Sequence, residues 1–504
     1  MKFNFKKYRI GYLLLVLTIT ITSCNKYLDE KDKSNFVKSN YFTTASQAQT
    51  FVNGLYGNPS GNTGLYMFLN GDAYGESPFI TIELFAGHTT SLGQSVNNGN
   101  VIHERTDPVN PGFETVWKSC YNSIANANLA LSVIPGISMD AQLKNRLIGE
   151  TRFLRAFFYY HLVRLYGDVP LITDPVTITS PNLYPNRTPQ TQVYDQIISD
   201  LQAAEASGIP ETDQTGRVSL GAVRTLLASV YLTTAGYPLQ KTANYALASA
   251  EALKVIPDYT LFTNYAFLHD NAHKNQGELI FQSQYLVGVA TNAIPQLTIP
   301  FNLPVGAYGD HLGAMIPTNE FFNSYETGDL RVKERQFYFS SYPQYGDTTK
   351  TVIFGEHALY KYFHVESALG NGQSDENWTF LRLPEAMLIY AEATNEVSGP
   401  TQAAYDQVNK IRARALLPAL SGLSTDQFRE AIWKERYHEL AYENKAYFDI
   451  QRTHMVYDVI HNTFGDALST PTEQGVTMKA QYYLWPIPQR EISTNNKLTQ
   501  NPGW

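Results

Sequence analysis

Cysteine is nearly absent, with two residues in a chain of 504, Cys24 and Cys120. Two thiols allow one bridge at most, so no disulfide framework supports this fold. Charge is also thin. Asp, Glu, Lys and Arg make up 17% of the chain, against about 25% in typical soluble domains. Acidic residues outnumber basic ones, 46 to 38, and the lack of a basic excess argues against nucleic acid as a partner. No apolar run reaches the roughly 20 residues that cross a bilayer as a helix. Catalytic signatures are missing too, with no G-x-S-x-G elbow, no P-loop and no dinucleotide fingerprint. "HERTD" (His103 to Asp107) and "HELAY" (His438 to Tyr442) begin like a zinc-binding H-E-x-x-H but lack its second histidine. The sequence therefore reads as a non-enzyme that needs no cofactor, and it defines no metal site. A long chain always offers Asp/Glu pairs, so a surface glycoside hydrolase stays open as an alternative.

What is present begins at the N-terminus, "MKFNFKKYRIGYLLLVLTITITSC". Lys2, Lys6, Lys7 and Arg9 precede an apolar stretch from Ile10 to Ile21, the pattern of a secretory signal. The closing "ITSC" resembles the bacterial lipoprotein box. That resemblance implies a signal peptide over 1–23, a lipidated Cys24 and a mature chain of 24–504. Two acyl chains on one cysteine give stable anchoring, where a single chain holds only reversibly. Removing 1–23 takes away four basic and no acidic residues, which leaves 34 basic against 46 acidic and a net charge of −12. Cys120 then has no partner, and its apolar helical context "VWKSCYNSIANANLAL" predicts a buried, inert thiol.

Apolar periodicity predicts helices in two blocks, 113–258 and 381–460. In "LKNRLIGETRFLRAFFYYHLVRLYG" the apolar positions recur near i, i+3 and i+4, and Gly167 and Pro170 supply the stop. "LLASVYLTTAG" and "ALASAEALKVIP" place small residues and tyrosine as a tetratricopeptide (TPR) hairpin does, and other helical segments look like degenerate copies. The predicted fold class is mainly α, a TPR-like scaffold of about four hairpins. Two irregular segments, about 58–112 and 258–380, interrupt it. They are rich in Gly, Asn and aromatics and contain short strand-like pieces such as "GELIFQSQYLV" and "KERQFYFSSY". Long irregular insertions on a regular scaffold are usually functional. The Arg/Glu-dense "FREAIWKERYHELAYE" predicts a partly buried ion-pair network rather than a catalytic site. Aromatics reach 13%, with 34 tyrosines, a composition suited to recognition surfaces.

The lipobox is followed in order by "FVNGLYG", "ETRFLRAFFYYHLVRLYGDVP", "LRLPEAMLIYAEATNE", "AIWKERYHELAYENKAYFDIQR" and "LWPIPQREI…NPGW". This order resembles the SusD/RagB family of outer-membrane lipoproteins over essentially the whole mature chain. The resemblance implies a lipid-anchored, cell-surface position on the outer membrane. It further implies capture of oligosaccharide or polysaccharide and delivery to a SusC-like TonB-dependent transporter, over which the protein sits as a lid. Candidate ligand contacts come from the irregular segments: Tyr66, His88, Asn97 and Asn98 in the first, Tyr308, His311 and Trp378 in the second. Rings would stack on sugar faces and the polar groups would bind hydroxyls. The glycan motif of the best-known members has a tryptophan in the first loop, and this chain has none between 24 and 116. A RagB-like, peptide-binding partner of such a transporter is therefore the alternative, and a TPR-type assembly scaffold is a more distant one.

Overall fold

The computed structural model describes residues 42–58, 63–69, 76–92, 95–300, 302–307, 312–472 and 474–504. The expected signal peptide, Cys24, Tyr308 and His311 lie outside the described residues. The architecture is mainly helical, as the periodicity predicts. Helix α1 (Ala45–Leu55) is followed by two short helices, α2 (Pro78–Leu84) and α3 (Val96–Ile102). A run of long helices comes next: α4 (Pro111–Val133), α5 (Ala141–Tyr166), α6 (Gln190–Glu205), α7 (Leu220–Ala235) and α8 (Asn244–Val255). From α5 onward each packs on its predecessor, the TPR-like arrangement. The irregular part then intervenes, with the short helices α9 (Ile294–Thr298), α10 (Asn319–Asn323) and α11 (Val365–Leu369). It returns to α12 (Leu383–Ser398), which packs directly on α8 and carries α13 (Gln402–Arg414) and α14 (Thr425–Glu439).

Helix α5 shows why the scaffold holds. The Asp140 carboxylate accepts from the Leu143 amide at 2.9 Å and caps its start. Gly167, with φ +71°, ends it in a backbone region that glycine adopts without strain. Its C-terminal half is largely apolar and buried on nearly every side, as expected of a helix enclosed by neighbours. Phe153 meets Phe281 at 5.0 Å and Phe157 meets Phe380 at 5.1 Å, so the scaffold core runs straight into the irregular part. The buried Arg155 guanidinium binds Asp200 of α6 at 2.7 and 2.8 Å and Asn128 of α4 at 2.9 Å, joining three helices. Cys120 is fully buried and free, and burial pushes its thiol well above the usual range, so it is inert.

Among the described residues the strands form four two-stranded antiparallel sheets. β1 (Thr89–Thr90) pairs with β3 (Ile316–Pro317), so the two irregular segments are stitched to one another. β2 (Leu279–Ser283) pairs with β6 (Trp378–Arg382). β4 (Tyr338–Gln344) and β5 (Asp347–Leu359) form a hairpin across Tyr345 and Gly346. After α15 (Ala446–Thr453), β7 (Met455–Asp458) and β8 (Thr463–Asp466) make the last hairpin. The tail packs against the scaffold. Trp485 is fully buried, and the Trp504 indole donates to the carbonyls of Gln481 and Leu484 after the short α16 (Gln489–Thr494).

The ion-pair network expected around α14 exists and is wholly buried. Arg331 binds Asp329 and Glu435 at 2.8 Å and Glu439 at 3.2 Å. Arg382 binds Glu278 at 3.0 Å, Glu439 at 2.6 Å and Glu443 at 2.8 Å. Arg414 also pairs with Glu278 and Glu439, and Lys361 pairs with Glu443. Asp329, Arg331, Lys361 and Glu278 belong to the irregular part, so this network fastens that part to the helices. His438 is buried beside it, its Nε2 2.9 Å from the Ser324 hydroxyl.

Candidate functional site

The irregular segments converge around residues 302–307 and 312–313. The Leu92 amide donates to the Gly313 carbonyl at 2.7 Å, next to the β1–β3 pairing. The Ala307 amide donates to the Ala368 carbonyl of α11 at 2.7 Å, and the Leu312 amide donates to Gln296 of α9 at 2.9 Å. A Cβ on Gly306 would lie 2.4 Å from the Ala368 carbonyl oxygen, so only glycine permits this approach. Below the loop sits a small separate core that includes Ile299, Val305, Phe339, Phe354 and Phe363.

The β4–β5 hairpin supplies the aromatic wall of this seam. Its tip is tied in by the Tyr345 amide, which donates to the Pro304 carbonyl at 2.9 Å. Tyr345 remains 47% exposed, and Tyr342 and Tyr360 are half-buried. The Arg335 guanidinium lies 5.3 Å from the Tyr342 ring centre. Burial raises the Tyr342 phenol, which stays protonated and can both donate and accept. The hydroxyls of Tyr342, Tyr345 and Tyr360 have no hydrogen bond to any described residue. These three tyrosines were not singled out from the sequence. The signal that could have found Tyr342 and Tyr345 is "QFYFSSYPQYGDTTKTVIF", an aromatic strand, a tyrosine-glycine turn and a β-branched return strand.

The residues that were singled out have varied surroundings. Tyr66 is half-buried, donates to the Gln284 carbonyl at 2.6 Å and meets Tyr285 edge-on at 5.2 Å. Asn97 donates to the Glu76 carboxylate at 2.8 Å at the start of α3. Asn98 is buried, and its amide donates to the Ser95 hydroxyl that caps α3. His88 is 1% exposed. Its Nδ1 lies 3.1 Å from the Tyr437 hydroxyl, its Nε2 lies 3.2 Å from the Glu83 carboxylate, and its ring packs on Phe321 and Tyr442. Trp378 is 4% exposed and packs on Phe79 at 4.3 Å and Tyr362 at 5.3 Å. His88, Asn98 and Trp378 are therefore enclosed and do not present a face to solvent. For Trp378 the reason is that β6 lies against α2 through Phe79, a contact between residues some 300 positions apart in the chain, and for His88 it is the rings of Phe321, Tyr437 and Tyr442.

Neither histidine motif forms a metal site, and no group of three His, Cys, Asp or Glu residues is placed to hold a metal among the described residues. Glu104 of "HERTD" instead accepts from the Lys479 amide at 3.0 Å, and burial pushes its carboxyl up to about 7.

The chain is similar to known proteins over nearly its whole length. A sequence profile described as "SusD family" matches residues 331–504, and one described as "Starch-binding associating with outer membrane" matches residues 26–232. SusD-like protein P2 of Formosa agariphila is 28% identical, with 99% of this chain and all of that protein covered. A SusD superfamily protein of Parabacteroides distasonis has a crystal structure with a TM-score of 0.87 and 35% identity, covering 91% of this chain and 99% of that one. Surface glycan-binding protein A of Bacteroides thetaiotaomicron, solved with laminarihexaose, matches with a TM-score of 0.72 and 19% identity over 91% of this chain and all of that one, which shows a shared fold.

Proposed function

Since this chain belongs to the SusD family, we propose that it is a lipid-anchored glycan-binding protein of the outer-membrane surface that hands oligosaccharide to a SusC-like transporter. The observation that carries this reading is the seam at 302–307, where Tyr342, Tyr345 and Tyr360 gather beside Pro304 and Val305 and keep their hydroxyls unpaired by described residues. A pyranose has an apolar face that stacks on such a ring, and each contact contributes about 0.5–1.5 kcal/mol beyond area burial. A few contacts give modest affinity. Modest affinity suits a carrier, because anchoring beside a transporter raises the effective concentration toward the millimolar range. The starch-binding description of one matching profile and the laminarihexaose held by a fold relative both support saccharide as the cargo class. Tyr66 and Asn97, from the first irregular segment, are proposed as secondary contacts, together with Tyr308 and His311.

The test is calorimetric titration against maltohexaose, laminarihexaose and a set of oligopeptides. Saccharide binding that falls about 10-fold in Tyr345→Ala and Tyr342→Ala, at unchanged thermal stability, is the expected result. Affinity that both variants leave intact would move the site elsewhere. A peptide cargo is the second reading, favoured by the exposed aliphatic side chains Leu286, Val287 and Val289 on one turn of the second irregular segment. Binding to peptides alone would establish it. For the anchor, Cys24→Ser in the full chain is expected to shift the protein from the membrane to the soluble fraction. A variant that still sediments with outer membranes would exclude lipidation as the attachment.

A further inference from the structure

A second groove, of about 540 Å³, lies on the helical scaffold and contains no residue of the irregular segments. Its walls are the turn after α7, the first residues of α8, the outer face of α14 and the corner between α15 and β7. Its size is that of a small-molecule site. One lining ring, Tyr237, is the end of a column of three parallel rings whose other two members lie behind it, outside the lining. Tyr237 stacks on His454 at 3.8 Å and 7°, and His454 stacks on Tyr483 at 4.2 Å and 12°. The Tyr237 amide donates to the Arg452 carbonyl at 2.8 Å, which fixes the end of the column. One face of Tyr237 is covered by the imidazole, yet the residue stays 40% exposed, so its free surface is the other face and the edge. Trp433 lines the same groove, and its indole N–H donates to Glu392 at 2.9 Å, which locks the ring in place. The hydroxyl of Tyr245, also in the lining, has no hydrogen bond to any described residue.

The polar rim narrows the ligand class. The Arg429 guanidinium is held by Glu396 at 2.5 and 2.8 Å and by Asp426 at 2.6 Å. Arg452 is held by Glu392 at 2.5 and 2.8 Å. These cations are already paired, so the groove offers an ionic ligand no free countercharge from them. It offers fixed aromatic faces, an unpaired phenol and carboxylate edges that accept hydroxyl donors. We infer that this groove is a second saccharide site, taking a neutral pyranoside with one ring face on Tyr237 and its hydroxyls toward Tyr245, Asp426 and Glu430. The inference takes its ligand class from the proposed function but not its location. Two separated sites on one chain would let a long glycan bind at both, which gains affinity without new contacts.

The experiment is calorimetric titration of the full chain in detergent with maltohexaose and laminarihexaose, in wild type, in Tyr237→Ala and in the seam variant Tyr342→Ala/Tyr345→Ala. The seam variant is expected to keep a binding event that the further substitution Tyr237→Ala weakens about 10-fold and Tyr237→Phe leaves intact. Binding confined to the groove upholds this inference and overturns the seam. Binding confined to the seam, with Tyr237→Ala behaving as wild type, overturns the inference and leaves the proposed function standing. No binding of either sugar at any site overturns both. Should Tyr237→Ala fail to fold, a wild-type crystal soaked in maltohexaose decides the question. A pyranose on the Tyr237 ring supports the site, and a bare ring beside an occupied seam rejects it.

Discussion

Replacing Arg382 by methionine is expected to destabilise the folded chain by about 3–5 kcal/mol. The side chain is 2% exposed and touches three carboxylates, on Glu278, Glu439 and Glu443. Methionine fills much of the volume but leaves those carboxylates close together in a medium that solvates charge poorly. Arg331, Arg414 and Lys361 remain to compensate them only in part. An exposed pair is the control. Arg490→Ala breaks its 3.0 Å contact with Glu114 and should cost less than about 1 kcal/mol. The network also sets an acid limit. The surrounding cations hold the carboxyls of Glu439 and Glu443 down at about 2, against desolvation that pushes them up. Carboxyls lowered on folding contribute fully above their unfolded value of about 4.3. That contribution disappears as pH falls from there through about 2. Glu435, raised by burial, contributes with the opposite sign over its own titration. Urea unfolding at pH 7 and pH 3 should show a lower midpoint at pH 3, with a smaller pH dependence in Arg382→Met. Equal midpoints for wild type and variant at pH 7 would mean that the network does not hold the irregular part in place.

Trp378→Ala is expected to cost about 3–5 kcal/mol of stability through the cavity it leaves, with any loss of ligand affinity following from unfolding. The indole sits edge-on to Phe79 and tilted against Tyr362, on a strand whose last residue is Arg382. Its removal therefore loosens packing next to the charge network. Tyr345→Ala should behave oppositely, because a half-exposed ring at a hairpin tip carries little of the core. The pair is compared by thermal unfolding and by saccharide titration on the folded fraction. A Trp378→Ala variant that melts like wild type but no longer binds saccharide would restore Trp378 as a ligand platform.

Much of the fold was legible because helical information is local. The apolar spacing of "RFLRAFFYYHLVRLYG", with Gly167 at its end, specifies α5 without reference to any other segment. The Arg and Glu density of "FREAIWKERYHELAYE" likewise marked α14 as ionic, though not the depth of its burial or that its partners would include Arg331, Arg382 and Arg414. The candidate site was only half legible. The irregular segments stood out by composition, but within them the residue type alone did not separate a ring that covers core from a ring that meets solvent. Trp378 and His88 have the chemistry of ligand contacts and are enclosed by Phe79, Tyr362 and Phe321. Tyr345, in an unremarked turn, is the one left open.

The sequence by itself determined the helical scaffold, the order of its hairpins and the places where it is interrupted, because propensity, periodicity and capping act within a few residues of chain. Only the tertiary structure decided which side chains a ligand can reach. That depends on pairings such as Thr89 with Pro317 and Leu279 with Arg382, and a contact between residues a hundred or more positions apart leaves no pattern in either segment alone.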